Sequence, residues 1–128
     1  MEFNLAPDIQ RRLSQIQTKL QFPHIDHKRI VCFRSYGSKA RARARIWAFP
    51  KIWQLALNLP AYYCIEIISE KFDHLKIDDQ TRIIIHELMH IPKNFSGALL
   101  PHRGRGKLLI NARSVEQLFK LFQSGKVI

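Results

Sequence analysis

The sequence predicts an α+β fold: a small twisted β-sheet, one buried helix packed against it, and helices at the N- and C-terminal ends. Three observations carry this prediction. Runs rich in β-branched and aromatic residues, separated by Gly and Pro, recur between residues 29 and 68. Helical spacing of apolar residues marks both ends of the chain. Between these regions, residues 79 to 90 are apolar nearly all round, the mark of a buried helix rather than a surface one. At 128 residues, 46% of them hydrophobic, the chain supports a single core and reads as one domain, 1–128.

The elements follow in order. Leu5, Ile9, Leu13, Ile16 and Leu20 share one helical face, which predicts a helix over about 7 to 20. Phe22-Pro23-His24 breaks it. Arg29 to Arg34 is a strand stopped by Gly37, and Ala42 to Phe49 is a second. Trp53 to Leu57 fits a third strand or a turn of helix. Tyr62 to Ile68 is a strand. Asp78 and Asp79 are good N-caps for the buried helix. Pro92 ends it, because the residue before a proline is pushed out of the α region. A turning loop with Gly97, Pro101 and Gly104 comes next. Ser114 and Gln117 have capping-box spacing for a last helix of about 114 to 123, closed by Gly125.

Within the buried helix, His86-Glu87-Leu88-Met89-His90 reads H-E-x-x-H. Residues four apart lie one above the other on a helix, so both imidazoles can reach one metal ion. Glu87 is turned about 100° around the axis from His86, close enough to meet a water on that metal. Zinc takes neutral nitrogen ligands and does chemistry through an open fourth position. It lowers the pKa of its water to about 7, and a neighbouring carboxylate can take the proton. Two His and a Glu on an apolar helix also need partners, since burying an unpaired charge is costly.

A catalytic zinc usually has three protein ligands. His102, in the loop after the helix, can fold back to the metal. Glu116 competes for the same role: it is the only Asp or Glu after Glu87. An Asp ligand from downstream is excluded, because no Asp follows Asp79. His102 is favoured, since a loop His between Gly-containing turns has little packing reason to be there. Glu116 has another explanation, as an acid favourable in the first turn of the last helix. The residue six after His90 is Ser96, so the metzincin spacing is absent.

From His86 to His102 the chain reads HELMHIPKNFSGALLPH. This resembles a zincin-like family of small metallopeptidases of phages and prokaryotes, with an H-E-L-x-H-I-P core, a Ser-Gly turn and a late His. Residues Arg45 to Trp53 and Tyr62 to Phe72 look similar too. The resemblance implies zinc ligands at His86, His90 and His102, with Glu87 as general base. By analogy with the zincin plan, the strand before the active helix is a sheet edge that pairs with extended peptide. Tyr62 to Ile68 is the candidate for that strand, with the role of an ordinary sheet strand as the alternative.

Charge sets the remaining expectations. Lys and Arg number 21 against 10 acids, a net charge of +11, with a pI near 10.2. Such a bias favours anionic partners. Arg41, Arg43 and Arg45 alternate with small or apolar residues and would line one side of a strand, as a possible nucleic-acid contact. Arg103, Arg105 and Lys107 flank His102, and Arg103 is a candidate for substrate or oxyanion contact. No apolar run approaches the roughly 18 residues of a membrane helix, so no membrane partner is expected. The N-terminus lacks the order of a signal peptide, and Cys32 and Cys64 read as buried small hydrophobes rather than a disulfide, which places the chain in the cytoplasm. The function expected is a zinc-dependent peptidase, acting on protein or peptide and possibly on nucleic-acid-associated proteins. The alternative is a non-enzymatic zinc-bearing module that binds nucleic acid or protein. A ribonuclease fits less well for want of a third His in place of Glu87, and a deformylase for want of an upstream Cys motif.

Overall fold

In the computed structural model, residues 1–102 and 109–125 are described. The chain opens with β1 (Glu2–Leu5) and α1 (Pro7–Lys19), and a short 3-10 turn leads into β2 (Ile30–Tyr36). Then come β3 (Ala44–Trp47), α2 (Lys51–Leu57), β4 (Tyr63–Ile68) and α3 (Ser69–Phe72). Two longer helices finish it: α4 (Ile77–Met89) and α5 (Ala112–Ser124). This is the expected α+β class, a four-stranded mixed sheet with helices at both ends.

The strands lie in the order β1-β2-β4-β3. β2 and β4 are parallel, with Cys32 opposite Ile65; β1 on β2 and β3 on β4 are antiparallel. Side chains alternate across a strand. One sheet face therefore presents Ile30, Cys32, Ala44, Ile65 and Ile67. These are buried in one cluster with Ile9, Leu13 and Ile16 of α1, Ile84, Ile85 and Leu88 of α4, and Val115 and Phe119 of α5. That burial is the main stabilising term, roughly 1.5–3 kcal/mol for each large apolar side chain enclosed.

Polar side chains lock the helices to the sheet. Gln10 of α1 donates to the Ile30 carbonyl and accepts from the Cys32 N–H, at 2.8 and 3.1 Å. Arg12 reaches α4 and donates to Gln80 Oε1 (2.7 Å) and Thr81 Oγ1 (3.0 Å). Arg34 grips Asp8 through two bonds of 2.7 and 2.8 Å and also pairs with Asp73. Cys32 and Cys64 are free thiols, as expected.

Several local expectations are corrected. Leu5 belongs to β1, not to the α1 face, and is exposed. The ambiguous segment at Trp53 is helical, ended by Asn58 in the left-handed region. α4 starts at Ile77 with Lys76 as its N-cap, so Asp78 and Asp79 sit in the first turn, where they favour the positive end of the helix dipole. α5 starts at Ala112: Asn111 accepts from the Ser114 N–H and Ser114 Oγ accepts from the Asn111 N–H. Ser114 is thus the inner partner of the capping box rather than its start. Most consequential for function, Tyr63–Ile68 is an interior strand between β2 and β3. The edge beside it is β3.

Candidate metal centre

α4 turns Ile84, Ile85 and Leu88 into the core, all fully buried. The same 3.6-residue period sends Asp79, Ile83, His86 and His90 to another face, and all four line one cleft of about 950 Å3. Glu87 falls between the two faces and is 8% exposed.

Three of the predicted site residues meet in this cleft. Ligand-capable nitrogens of His86, His90 and His102 all lie within 4.8 Å of one another. The ring centroids are 5.1 Å apart for His86–His90 and for His86–His102, and 4.7 Å for His90–His102. His86 Nε2 and His102 Nε2 are 3.1 Å apart. Two nitrogens on one tetrahedral zinc, each at about 2.05 Å, stand about 3.3 Å apart. The rings therefore need little movement to share an ion.

The chemistry of the donor set agrees. His90 Nδ1 donates to the Leu100 carbonyl, which fixes the tautomer and leaves the Nε2 lone pair free. Burial, with His90 and His102 nearby, pushes the His86 pKa down to about 4. Burial lowers that of His90 as well, against the opposing bond to Leu100. Both rings are thus kept neutral, the form that binds metal. Burial raises Glu87 to about 8, with a smaller opposing effect from the Ile46 main chain. A cation at the histidines would favour the ionised carboxylate.

The described part of the loop carrying His102 is stapled at several points. The Leu100 N–H donates to the His90 carbonyl at 2.7 Å, and the Ile110 N–H to the His102 carbonyl at 3.0 Å. Tyr63 of β4 supplies a bridge: its hydroxyl accepts from the Gly97 N–H (2.9 Å) and donates to the Ala98 carbonyl (2.8 Å). Gln54 of α2 donates to the Phe49 and Ser96 carbonyls, at 2.8 and 2.7 Å. Gly97 has φ +91°, and a Cβ there would collide with the Phe49 carbonyl, so this turn requires glycine.

Other candidates are placed differently. Glu116 lines the same cleft but is not in the histidine cluster; it binds Arg82 at 2.9 Å. The three arginines do not form a row. Arg45 donates to Glu66 Oε1 and lies over Trp47, whereas Arg41 and Arg43 precede β3 and are exposed at the cleft. Arg103, Arg105 and Lys107 lie outside the described residues. Sequence reading missed Tyr63, Gln54 and Leu100 as the supports of the site. Gln54, a lone polar residue in an apolar run beside Gly97's partner Phe49, was the one available signal.

Among the described residues, no helix is long and apolar enough to cross a membrane. No curated protein and no solved structure matches the chain significantly. A family described as "Putative phage metallopeptidase" matches residues 1–121, beyond the stretch around the motif that carries the resemblance. Three convergent histidines on such a chain point to a metal-dependent peptidase, and the protein belongs to this phage metallopeptidase family.

Proposed function

We propose that the protein is a zinc-dependent peptidase, with His86, His90 and His102 as ligands and Glu87 as general base. The observation that carries this reading is the convergence of three imidazoles, His86, His90 and His102, beside a buried carboxyl in one cleft. Zinc is the metal that three histidines with an open position suit best, and when bound it supplies a Lewis acid and an acidified water. Glu87 takes the proton from the attacking water and returns it to the departing amine, so one side chain serves both transfers. Leu100 orients His90, and the Tyr63 bridge holds the turn that leads to His102. The edge strand β3 offers a place for substrate to lie, since an extended chain can add to a free sheet edge by main-chain bonds. Ile46 of β3 and Glu87 line the same cleft, which puts such a chain beside the base.

The test is metal content per chain and hydrolysis of unfolded protein, measured on wild type and three variants. Wild type, Glu116→Ala and Glu87→Gln should hold one zinc, and His102→Ala should lose it. Glu87→Gln should lose turnover by roughly 10²–10⁴-fold. Zinc retained in His102→Ala but lost in Glu116→Ala, or turnover retained in Glu87→Gln, refutes the assignment. Zinc with no hydrolysis of any protein supports the alternative of a non-enzymatic zinc-bearing module.

A further inference from the structure

The cleft that holds the histidines carries four arginines on its lining, and their charges are not equivalent. Arg82 is matched by Asp79 and Glu116, both at 2.9 Å. Arg45 is matched by Glu66, also at 2.9 Å. Arg41 and Arg43 are exposed, and among the described residues neither side chain makes an ion pair or hydrogen bond. No acid is close in sequence either: the chain has no Asp or Glu between Asp26 and Glu66. The backbone at the second of these residues is anchored. The Arg43 carbonyl accepts from the Ile68 N–H at 3.0 Å, and Ala44 then pairs with Ile67 in the sheet. Ala42 and Ala44, on the same wall, leave the guanidinium groups room.

We propose that Arg41 and Arg43 are specificity residues that bind acidic side chains of the polypeptide beside the bond to be cut. This rests on the peptidase reading above and adds a substrate class to it. Guanidinium groups bind carboxylates with directed, charge-assisted bonds, and two uncommitted ones on a cleft wall favour a chain bearing Asp or Glu there. A nucleic acid fits the same wall less well. Its backbone carries closely spaced charges and would also meet Asp79 and Glu116, which line the same cleft and whose two carboxylates share the single cation of Arg82. A peptide needs its acid on one side only.

The experiment uses zinc-loaded Glu87→Gln, so that binding is read without turnover. Three labelled peptides of equal length and apolar content carry Glu, Gln or Lys at their variable positions, and affinity is read by fluorescence anisotropy. The Glu peptide should bind about two- to thirtyfold tighter than the Gln peptide, the range for two partly exposed ion pairs, and the preference should shrink with salt. Adding Arg41→Ala and Arg43→Ala should abolish the preference, and Arg41→Glu with Arg43→Glu should turn it toward the Lys peptide. Zinc content and melting temperature, measured on each variant, separate this effect from misfolding. Equal affinity for the three peptides, no binding of any, or a preference that survives both pairs of substitutions overturns the proposal. So does an oligonucleotide that binds through the same two arginines more tightly than the Glu peptide, which would assign the wall to nucleic acid. If the preference holds but wild type cleaves none of the peptides, the binding proposal stands and the peptidase reading falls.

Discussion

Tyr63→Phe isolates what holds the third histidine in place. Tyr63 is 1% exposed, and its ring stands edge-on to Phe95 with centroids 5.0 Å apart. Phenylalanine keeps that packing and removes only the hydroxyl. The Gly97 N–H then loses its acceptor in a buried position, while the Ala98 carbonyl sits at an exposed residue where water can replace the bond. An orphaned buried donor costs about 1–3 kcal/mol. For a chain of 128 residues each kcal/mol corresponds to roughly 3–5 °C in Tm, so a loss centred near 2 kcal/mol lowers Tm by about 6–10 °C. The assay is thermal melting of the metal-free protein, paired with zinc affinity by competition with a chelating dye. Because the freed turn leads to His102, zinc affinity should fall by about tenfold, the low end for a group that supports a ligand indirectly. An unchanged Tm would show that the hydroxyl carries none of the loop's stability. A lowered Tm with unchanged zinc affinity would refute the claim that this bridge positions His102.

Three further outcomes are expected. Gly97→Ala should be harsher than Tyr63→Phe, on the order of 3 kcal/mol or more in a urea titration, because both the positive φ and the Phe49 carbonyl oppose a side chain. The Arg34 side-chain bonds, outweighing burial, lower Asp8 below its ordinary value of 3.8, so the folded state holds this proton less tightly than the unfolded chain. The resulting stability is present above about pH 3.9 and is lost as pH falls through the folded value; comparing urea midpoints of wild type and Asp8→Asn across that window should show a shallower acid slope in the variant. Removal of zinc by chelation should abolish hydrolysis and leave the far-ultraviolet circular dichroism of the folded protein in place.

Legibility in the sequence followed the range of the interactions involved. α4 was readable because its signals are local: an apolar circumference, a proline stop and two histidines one turn apart. β2 and β4 were placed within two residues of their observed ends, since β-branched runs are also local. β1 was missed because its polar-apolar alternation, Glu2-Phe3-Asn4-Leu5, runs for only four residues, all exposed, and Leu5 also continues the helical spacing of α1; pairing with β2 is what makes it a strand. α2 was undecidable for a similar reason. Ile52, Trp53, Leu55 and Leu57 are all exposed, so neither period of two nor period of 3.6 was enforced by burial. The misplaced sheet edge arose from topology, which places β3 outside β4 although it comes earlier in the chain. A clue was present: five of the six residues of β4 are buried, and a strand rich in isoleucine on both faces is suited to an interior position. Within the site, His102 was found from its chemistry. Its supports, Tyr63, Gln54 and the Leu100 carbonyl, act across 10 to 42 positions of sequence and carry no motif.

The arrangement of those supports decides what a metal does for this fold. In domains that collapse without zinc, the ligands are the core, and binding energy is folding energy. Here the core runs from Ile9 to Phe119 through the sheet, while His86 is half-buried and His102 is exposed at the cleft. The segment from the second to the third histidine is tied by main-chain bonds at its two ends, Leu100 to the His90 carbonyl and Ile110 to the His102 carbonyl, and by the Tyr63 and Gln54 side chains. None of these bonds involves a ligand nitrogen of the cluster. The bond from His90 Nδ1 to the Leu100 carbonyl leaves the Nε2 of that ring uncommitted. The protein therefore uses its own packing and hydrogen bonds to bring three imidazoles together. On the proposed reading, zinc would then add a reagent to a site whose ligands the fold, rather than the metal, has positioned.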